Sequence, residues 1–230
     1  MIRGVIFDMD GTLFDTERLY TIAWKQVGKE MGYPITTELL NQCRGKTTLL
    51  IREIFEDTFG KEFHYEEARH RKSEIFMEMI TRDGVPKKKG LIELLSYLKE
   101  NDIPAAVATS TRQRQGEKVL KMSGVAEYFT AFIYGDTQKA SKPKPDIFWN
   151  AAKAIGREPK ECLVVEDSTP GVMAGIAAGG ETIYIHDMVE VPEDVLKHAS
   201  ASLEDLGQIV NWIQKVNDES ILERKSGTDR

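Results

Sequence analysis

Only two cysteines occur in 230 residues, Cys43 and Cys162, and neither has a second Cys or a His close to it in the chain. That excludes a disulfide scaffold and the usual zinc spacings. Cys162 opens the apolar run Leu163-Val164-Val165 and reads as a small buried hydrophobe. Long hydrophobic runs are missing as well. No stretch approaches the roughly 18 apolar residues of a membrane span. The opening residues reach an acid at Asp8 and leave no room for a secretory core. A cytoplasmic setting without a membrane partner is the expectation. A basic excess is also lacking: 31 Lys and Arg stand against 37 Asp and Glu, a net charge of -6. Nucleic-acid binding asks for a basic face, and Lys87-Lys88-Lys89 is too short to supply one. No internal repeat appears. Nothing sets an oligomeric state, and a monomer suffices.

What is present is an ordinary globular balance, 41% apolar and 30% charged. Short apolar runs read as buried parallel strands: Val5 to Phe7, Ala105 to Ala108, Phe132 to Tyr134, Leu163 to Val165 and Thr182 to Ile185. Helical spacing lies between the later ones, at Leu91/Leu94/Leu95/Leu98, Val119/Leu120/Met122 and Phe148/Ala151/Ala152/Ile155. The run from Ala174 to Gly180 reads as a small-residue helix that can press on a sheet. This alternation predicts an α/β fold, a Rossmann-like doubly wound parallel sheet. About 70 residues after the first strand carry no strand signal, too many for a simple crossover. Three helical faces are read there, around Leu19 to Met31, Leu50 to Thr58 and Ile75 to Ile80. The chain therefore divides into a core (1–14 and 85–230) and an inserted α-helical cap (15–84), with a polar tail at 217–230 expected to fray.

In open α/β sheets ligands gather beyond the carboxyl ends of the strands. The first strand ends in Asp8-Met9-Asp10-Gly11-Thr12, the second in Thr109-Ser110-Thr111 and the fourth in Glu166-Asp167. Ser141-Lys142-Pro143-Lys144-Pro145-Asp146 follows the third. Two carboxylates two residues apart at the end of a buried strand repel each other and resist desolvation, so they need a chemical task or a cation. Carboxylates suit a hard cation such as Mg²⁺; hydroxyls and an ammonium suit phosphate oxygens. Each motif alone has a plainer reading. Thr-Ser-Thr serves as a helix N-cap, Lys142 as solvated loop, and Glu166-Asp167 as acids favouring a helix N-terminus.

The four motifs in order resemble the haloacid dehalogenase superfamily, in the branch with a helical cap inserted after the first motif. The match runs from Ile2 to about Ile213, and Ser141 in place of the usual Gly is its one departure within these motifs. The resemblance implies that Asp8 attacks phosphorus to form an aspartyl-phosphate and that Asp10 moves the proton. Thr109 and Lys142 would hold the transferring phosphoryl group, with Ser110 beside them. Mg²⁺ would be held by Asp8, Asp167 and the backbone carbonyl of Asp10, with Glu166 supporting. The implied activity is a Mg²⁺-dependent phosphatase acting on a small phosphorylated metabolite, a sugar phosphate or nucleotide-like phosphomonoester. Specificity is expected from Tyr20, Arg44 and Lys46 of the cap and Arg112 of the core rim. Trp24 and Met77 are more simply cap core.

Four other readings are weighed. A dehalogenase does not need the second Asp or the metal. Gly45-Lys46-Thr47-Thr48 looks like the end of a Walker motif, but Leu40 stands where that motif needs Gly, and Leu39-Leu40-Asn41 reads as helix. A β-phosphoglucomutase-like phosphosugar mutase remains the alternative. Those mutases carry His where Tyr20 stands and Arg where Thr48 stands, which favours hydrolysis. A non-catalytic binding module would be expected to have lost a motif residue, and none is lost.

Overall fold

A computed structural model describes residues 1–44, 46 and 48–227. Gly45 and Thr47 of the Walker-like run, and residues 228–230 of the tail, lie outside the described residues. In chain order the elements are β1 (Gly4–Phe7), α1 (Thr16–Met31), α2 (Thr37–Cys43), α3 (Thr48–Phe59), α4 (Tyr65–Asp83), α5 (Leu91–Glu100), β2 (Ala105–Thr109), α6 (Gln113–Ser123), β3 (Ala131–Tyr134), α7 (Asp146–Ala154), β4 (Cys162–Glu166), α8 (Thr169–Ala178), β5 (Glu181–Ile185), α9 (Glu193–Leu196), β6 (Ala201–Leu203) and α10 (Gln208–Gly227).

All strand pairs are parallel, in the order β3-β2-β1-β4-β5-β6. β1, β2 and β4 are buried along their whole length. Helices cover both faces of the sheet, so these strands read as continuous apolar runs rather than alternating ones. One face packs against α5 and α10 through Leu94, Leu98, Ile209 and Ile213. The other packs against α7 and α8 through Phe148, Ala152, Ala174 and Ala178. The edge strand β6 was not anticipated. It has three residues, none fully buried, and so leaves no apolar run to read.

Strand order reverses at β1, which is flanked by β2 and β4. That reversal opens a crevice at the carboxyl end of β1. Register decides what lines it. Phe7 lies opposite both Val107 and Val165, so the next residues, Asp8, Ala108 and Glu166, stand side by side.

The insertion holds four helices, α1 to α4, where three faces were expected. The fourth is α2, which contains the Leu39-Leu40-Asn41 run read as helix and is started by Thr36, whose hydroxyl accepts from Leu39 N–H. Its core is aromatic: Trp24 packs on Phe55 at 4.8 Å, and Phe55 on Phe63 at 5.2 Å. Entry and exit segments run together, with Asp15 N–H donating to Pro86 O and Lys88 N–H to Leu13 O, each at 3.0 Å.

The tail departs from expectation at its first residue. Asn217 lies within α10, its side chain accepting from Ile2 N–H at 2.6 Å and donating to Ile2 O at 3.3 Å. Composition showed a polar segment, but a long-range clasp to Ile2, just before the first strand, holds this residue in a helix. No helix among the described residues is long and apolar enough to cross a membrane.

Candidate active site

The end of β1 carries Asp8 into the crevice, buried and with its N–H donating to Val165 O at 3.0 Å. Lys142 is not solvated loop; it is 8% exposed. Its ammonium donates to Asp8 Oδ1 at 2.5 Å, Glu166 Oε1 at 2.5 Å and Ala108 O at 3.1 Å. Those are the three neighbours that the strand register lines up, and three acceptors use all three ammonium hydrogens. The two buried carboxylates hold the Lys142 proton more firmly than usual, although burial acts against its charge.

Glu166 is held at both carboxylate oxygens. Its Oε2 accepts from Asp167 N–H at 3.0 Å, and from Ser168 N–H and Oγ at 3.1 Å each. Ser168 then caps α8 by accepting from Gly171 N–H at 3.2 Å. The helix start of this motif therefore rests on Ser168 rather than on Glu166 or Asp167. Gly171 is needed because a Cβ there would sit 1.9 Å from the Glu166 carboxyl carbon. Gly171→Ala is expected to cost roughly 2–3 kcal/mol through overpacking against a buried carboxylate. Urea unfolding checks this, and an unchanged midpoint would show that Glu166 can move aside.

Asp8, Glu166 and Asp167 each offer an oxygen within 4.8 Å of the others. Burial, with the Glu166 and Asp10 charges, pushes Asp8 up to about 8 against the pull of Lys142. Burial and the neighbouring Glu166 and Asp8 charges push Asp167 well above the ordinary carboxylate range. Three crowded acids sharing one ammonium are short of positive charge. An all-oxygen donor set of this kind fits a hard divalent cation such as Mg²⁺. Gly11 makes the approach possible: its φ is +86°, and a Cβ would lie 2.2 Å from Asp167 Oδ2. Thr12 donates to Asp167 Oδ1 at 2.8 Å.

Asp10 is held from two directions. From α1, Thr16 Oγ donates to its Oδ1 at 2.7 Å and Tyr20 OH at 3.3 Å; from the β2 loop, Thr111 Oγ donates to Oδ2 at 2.6 Å. Gln115 of α6 donates to Tyr20 OH at 2.7 Å, tying the insertion to the core. Thr109 Oγ accepts from Thr111 N–H at 3.0 Å, which leaves its own O–H to donate elsewhere.

The other expected residues are placed differently. Ser110 and Arg112 are exposed on the rim, and neither side chain is hydrogen-bonded or ion-paired among the described residues; the same is true of Lys46. Arg44 does meet an acidic group, but it is the chain's own Glu17, at 2.6 Å. The sequence reading did not single out the roles of Thr16, Thr111, Gln115, Glu17 and Lys72. Thr16 and Tyr20 had a usable signal, since a spacing of four puts both on one helix face.

Lys72 of α4 lies 4.2 Å over the Tyr20 ring, and burial lowers it to about 8 against the pull of Asp10 and Glu17. Between pH 8 and 10.5 the unfolded chain binds this proton and the folded chain does not, so stability gains with rising pH in that window. Its cost is fully present below about pH 8. The stability difference between wild type and Lys72→Met is expected to move in favour of wild type from pH 8 to 10.5. Urea midpoints at pH 7, 8, 9.5 and 10.5 read it, and a pH-independent difference would refute it.

A family model described as haloacid dehalogenase-like hydrolase matches residues 5–185. The phosphorylated carbohydrates phosphatase of Thermotoga maritima is 31% identical over 227 residues, covering 94% of this chain and 100% of that protein. The β-phosphoglucomutase of Bacillus subtilis is 29% identical over 187 residues, covering 77% of this chain and 80% of that protein. The crystal structure of β-phosphoglucomutase from Clostridium difficile shares the fold, with a TM-score of 0.79 at 22% identity, covering 96% of this chain and 100% of that one.

Proposed function

The chain belongs to the haloacid dehalogenase-like hydrolases, and from that premise we propose that it is a Mg²⁺-dependent phosphatase of a small phosphorylated metabolite, a phosphorylated sugar foremost, working through an aspartyl-phosphate on Asp8. The observation that carries this reading is Asp10, held at both oxygens by hydroxyls from the insertion and the core, which can accept from a protonated Asp10 as well as donate to an ionised one. An alkoxide leaving group needs a proton from a fixed donor; a halide needs none.

Asp8 is oriented by Lys142 with one oxygen engaged, and the other is its nucleophilic oxygen. As the Asp8–phosphorus bond forms and the bond to the leaving oxygen breaks, Asp10 gives its proton to that oxygen. Asp10 then takes a proton from the water that attacks phosphorus, releasing phosphate and restoring Asp8. The free O–H of Thr109 and the Lys142 ammonium stabilise charge on the phosphoryl oxygens. Asp8, Asp167 and Glu166 would hold Mg²⁺, together with the backbone carbonyl of Asp10. Bound there, the cation neutralises phosphoryl charge and lets Asp8 react ionised.

A mutase is the second reading. The Gln115–Tyr20–Asp10 contacts close the insertion over the site, as water exclusion in a mutase would require. Hydrolysis is favoured because Arg44, the insertion cation expected to meet an acidic group, is already paired with Glu17. A screen of phosphorylated sugars with Mg²⁺ tests the choice, with glucose 6-phosphate formation from glucose 1-phosphate measured in parallel. Phosphate release that EDTA abolishes is expected. Isomer formation without release would overturn hydrolysis in favour of the mutase.

A further inference from the structure

Arg44 follows α2 with its side chain 12% exposed. Its guanidinium is bonded at every nitrogen: Nε donates to Asn41 Oδ1 at 3.2 Å, one terminal nitrogen to Glu17 Oε2 at 2.6 Å, the other to Thr21 Oγ at 2.8 Å. Glu17 is the residue after Thr16, which holds Asp10, so this ion pair borders the acid–base position. Burial and the Asp10 charge push Glu17 up to about 7, against the pull of Arg44 and Lys72. Arg44 is thus already paired with a carboxylate of the same wall, and with every nitrogen bonded it has no unspent donor to receive a second anion.

The remaining oxygen of Glu17, Oε1, accepts from no group among the described residues. A carboxylate oxygen accepts from a hydroxyl and repels a phosphate. Lys72 and the Gln115 amide supply donors nearby, through their common neighbour Tyr20. An acceptor beside donors suits the hydroxyls of a polyol.

We propose that Glu17 is a specificity-determining residue: by neutralising Arg44 and offering its free oxygen, it restricts the site to phosphomonoesters whose far end is uncharged and hydroxylated, and excludes those bearing a second phosphate. This rests on the phosphatase reading above. A second phosphate is repelled by Glu17, and it reaches Arg44 only by breaking a short, largely buried ion pair.

Fructose 1-phosphate and fructose 1,6-bisphosphate are compared as inhibitors of p-nitrophenyl phosphate turnover with Mg²⁺. The bisphosphate is expected to inhibit wild type about tenfold more weakly than the monophosphate. In Glu17→Gln, which frees Arg44 without changing side-chain size, that ratio is expected to shift about tenfold toward the bisphosphate. In the double variant Glu17→Gln/Arg44→Met the gain is expected to disappear, since the released cation is gone. A wild-type ratio near one overturns the proposal without any variant. So does an unchanged ratio in a folded Glu17→Gln protein, or in Glu17→Ala should the first not fold. If wild type turns over no ester at all, the phosphatase reading fails instead. The same ratio is then read from calorimetric binding of the two sugars, which keeps the two failures distinct.

Discussion

Asp8→Asn is expected to abolish phosphate release, with kcat falling about 10⁴-fold or more. An amide oxygen carries no full negative charge and cannot leave and re-form as a carboxylate does, so the covalent route closes. The substitution also removes one of the two anionic partners of Lys142 and one of the three carboxylates grouped as a cation site. Rate and metal dependence should therefore fall together. Initial rates of phosphate release across a Mg²⁺ titration, with EDTA as the zero point, measure both. A residual rate above about one hundredth of wild type would rule out Asp8 as the attacking group.

Lys142→Met is expected to destabilise the metal-free protein by about 3–5 kcal/mol and to lower kcat by 10²-fold or more. The reason is position. The Lys142 side chain is 5% exposed, between Asp8 at 10% and Glu166 at 0%, so its loss leaves two adjacent carboxylates buried without their cation. For a chain of 230 residues the melting temperature should fall by roughly 6–20 °C, at about 2–4 °C per kcal/mol. Added Mg²⁺ should recover part of that loss, because it supplies positive charge to the same acids. Melting curves with EDTA and with Mg²⁺ test both statements. A loss below about 1 kcal/mol with EDTA would mean that the carboxylates find water or protonate at little cost.

The core was legible because its strands are buried on both sides and write themselves as apolar runs. β1, β2, β4 and β5 fall where Val5 to Phe7, Ala105 to Ala108, Leu163 to Val165 and Thr182 to Ile185 stand. β6 has no such run, since an edge strand of three residues buries too little to constrain composition. The insertion showed its apolar faces, but of α2 only Leu39-Leu40-Asn41 read as helix, since seven residues offer barely two turns of periodicity. Asn217 shows the opposite limit: its helix is held in part by Ile2, 215 residues away, a partner no local window contains.

The candidate site divides in the same way. Asp8, Asp10, Thr109, Glu166 and Asp167 stand at or just beyond strand ends, where local sequence and a parallel sheet already fix a place, whereas Lys142, well past the end of β3, was named through the order of motifs that resembles a known family. Side-chain pairing across the crevice follows a different rule. Whether Arg44 faces a ligand or an internal acid depends on how α1 and α2 pack, and that packing pairs it with Glu17, 27 positions away. The sequence by itself determined the sheet and the set of groups at its rim, because burial and strand ends are local properties. Only the tertiary structure decided which charges remain unspent, because neutralisation depends on distance in space and the chain records only distance along itself.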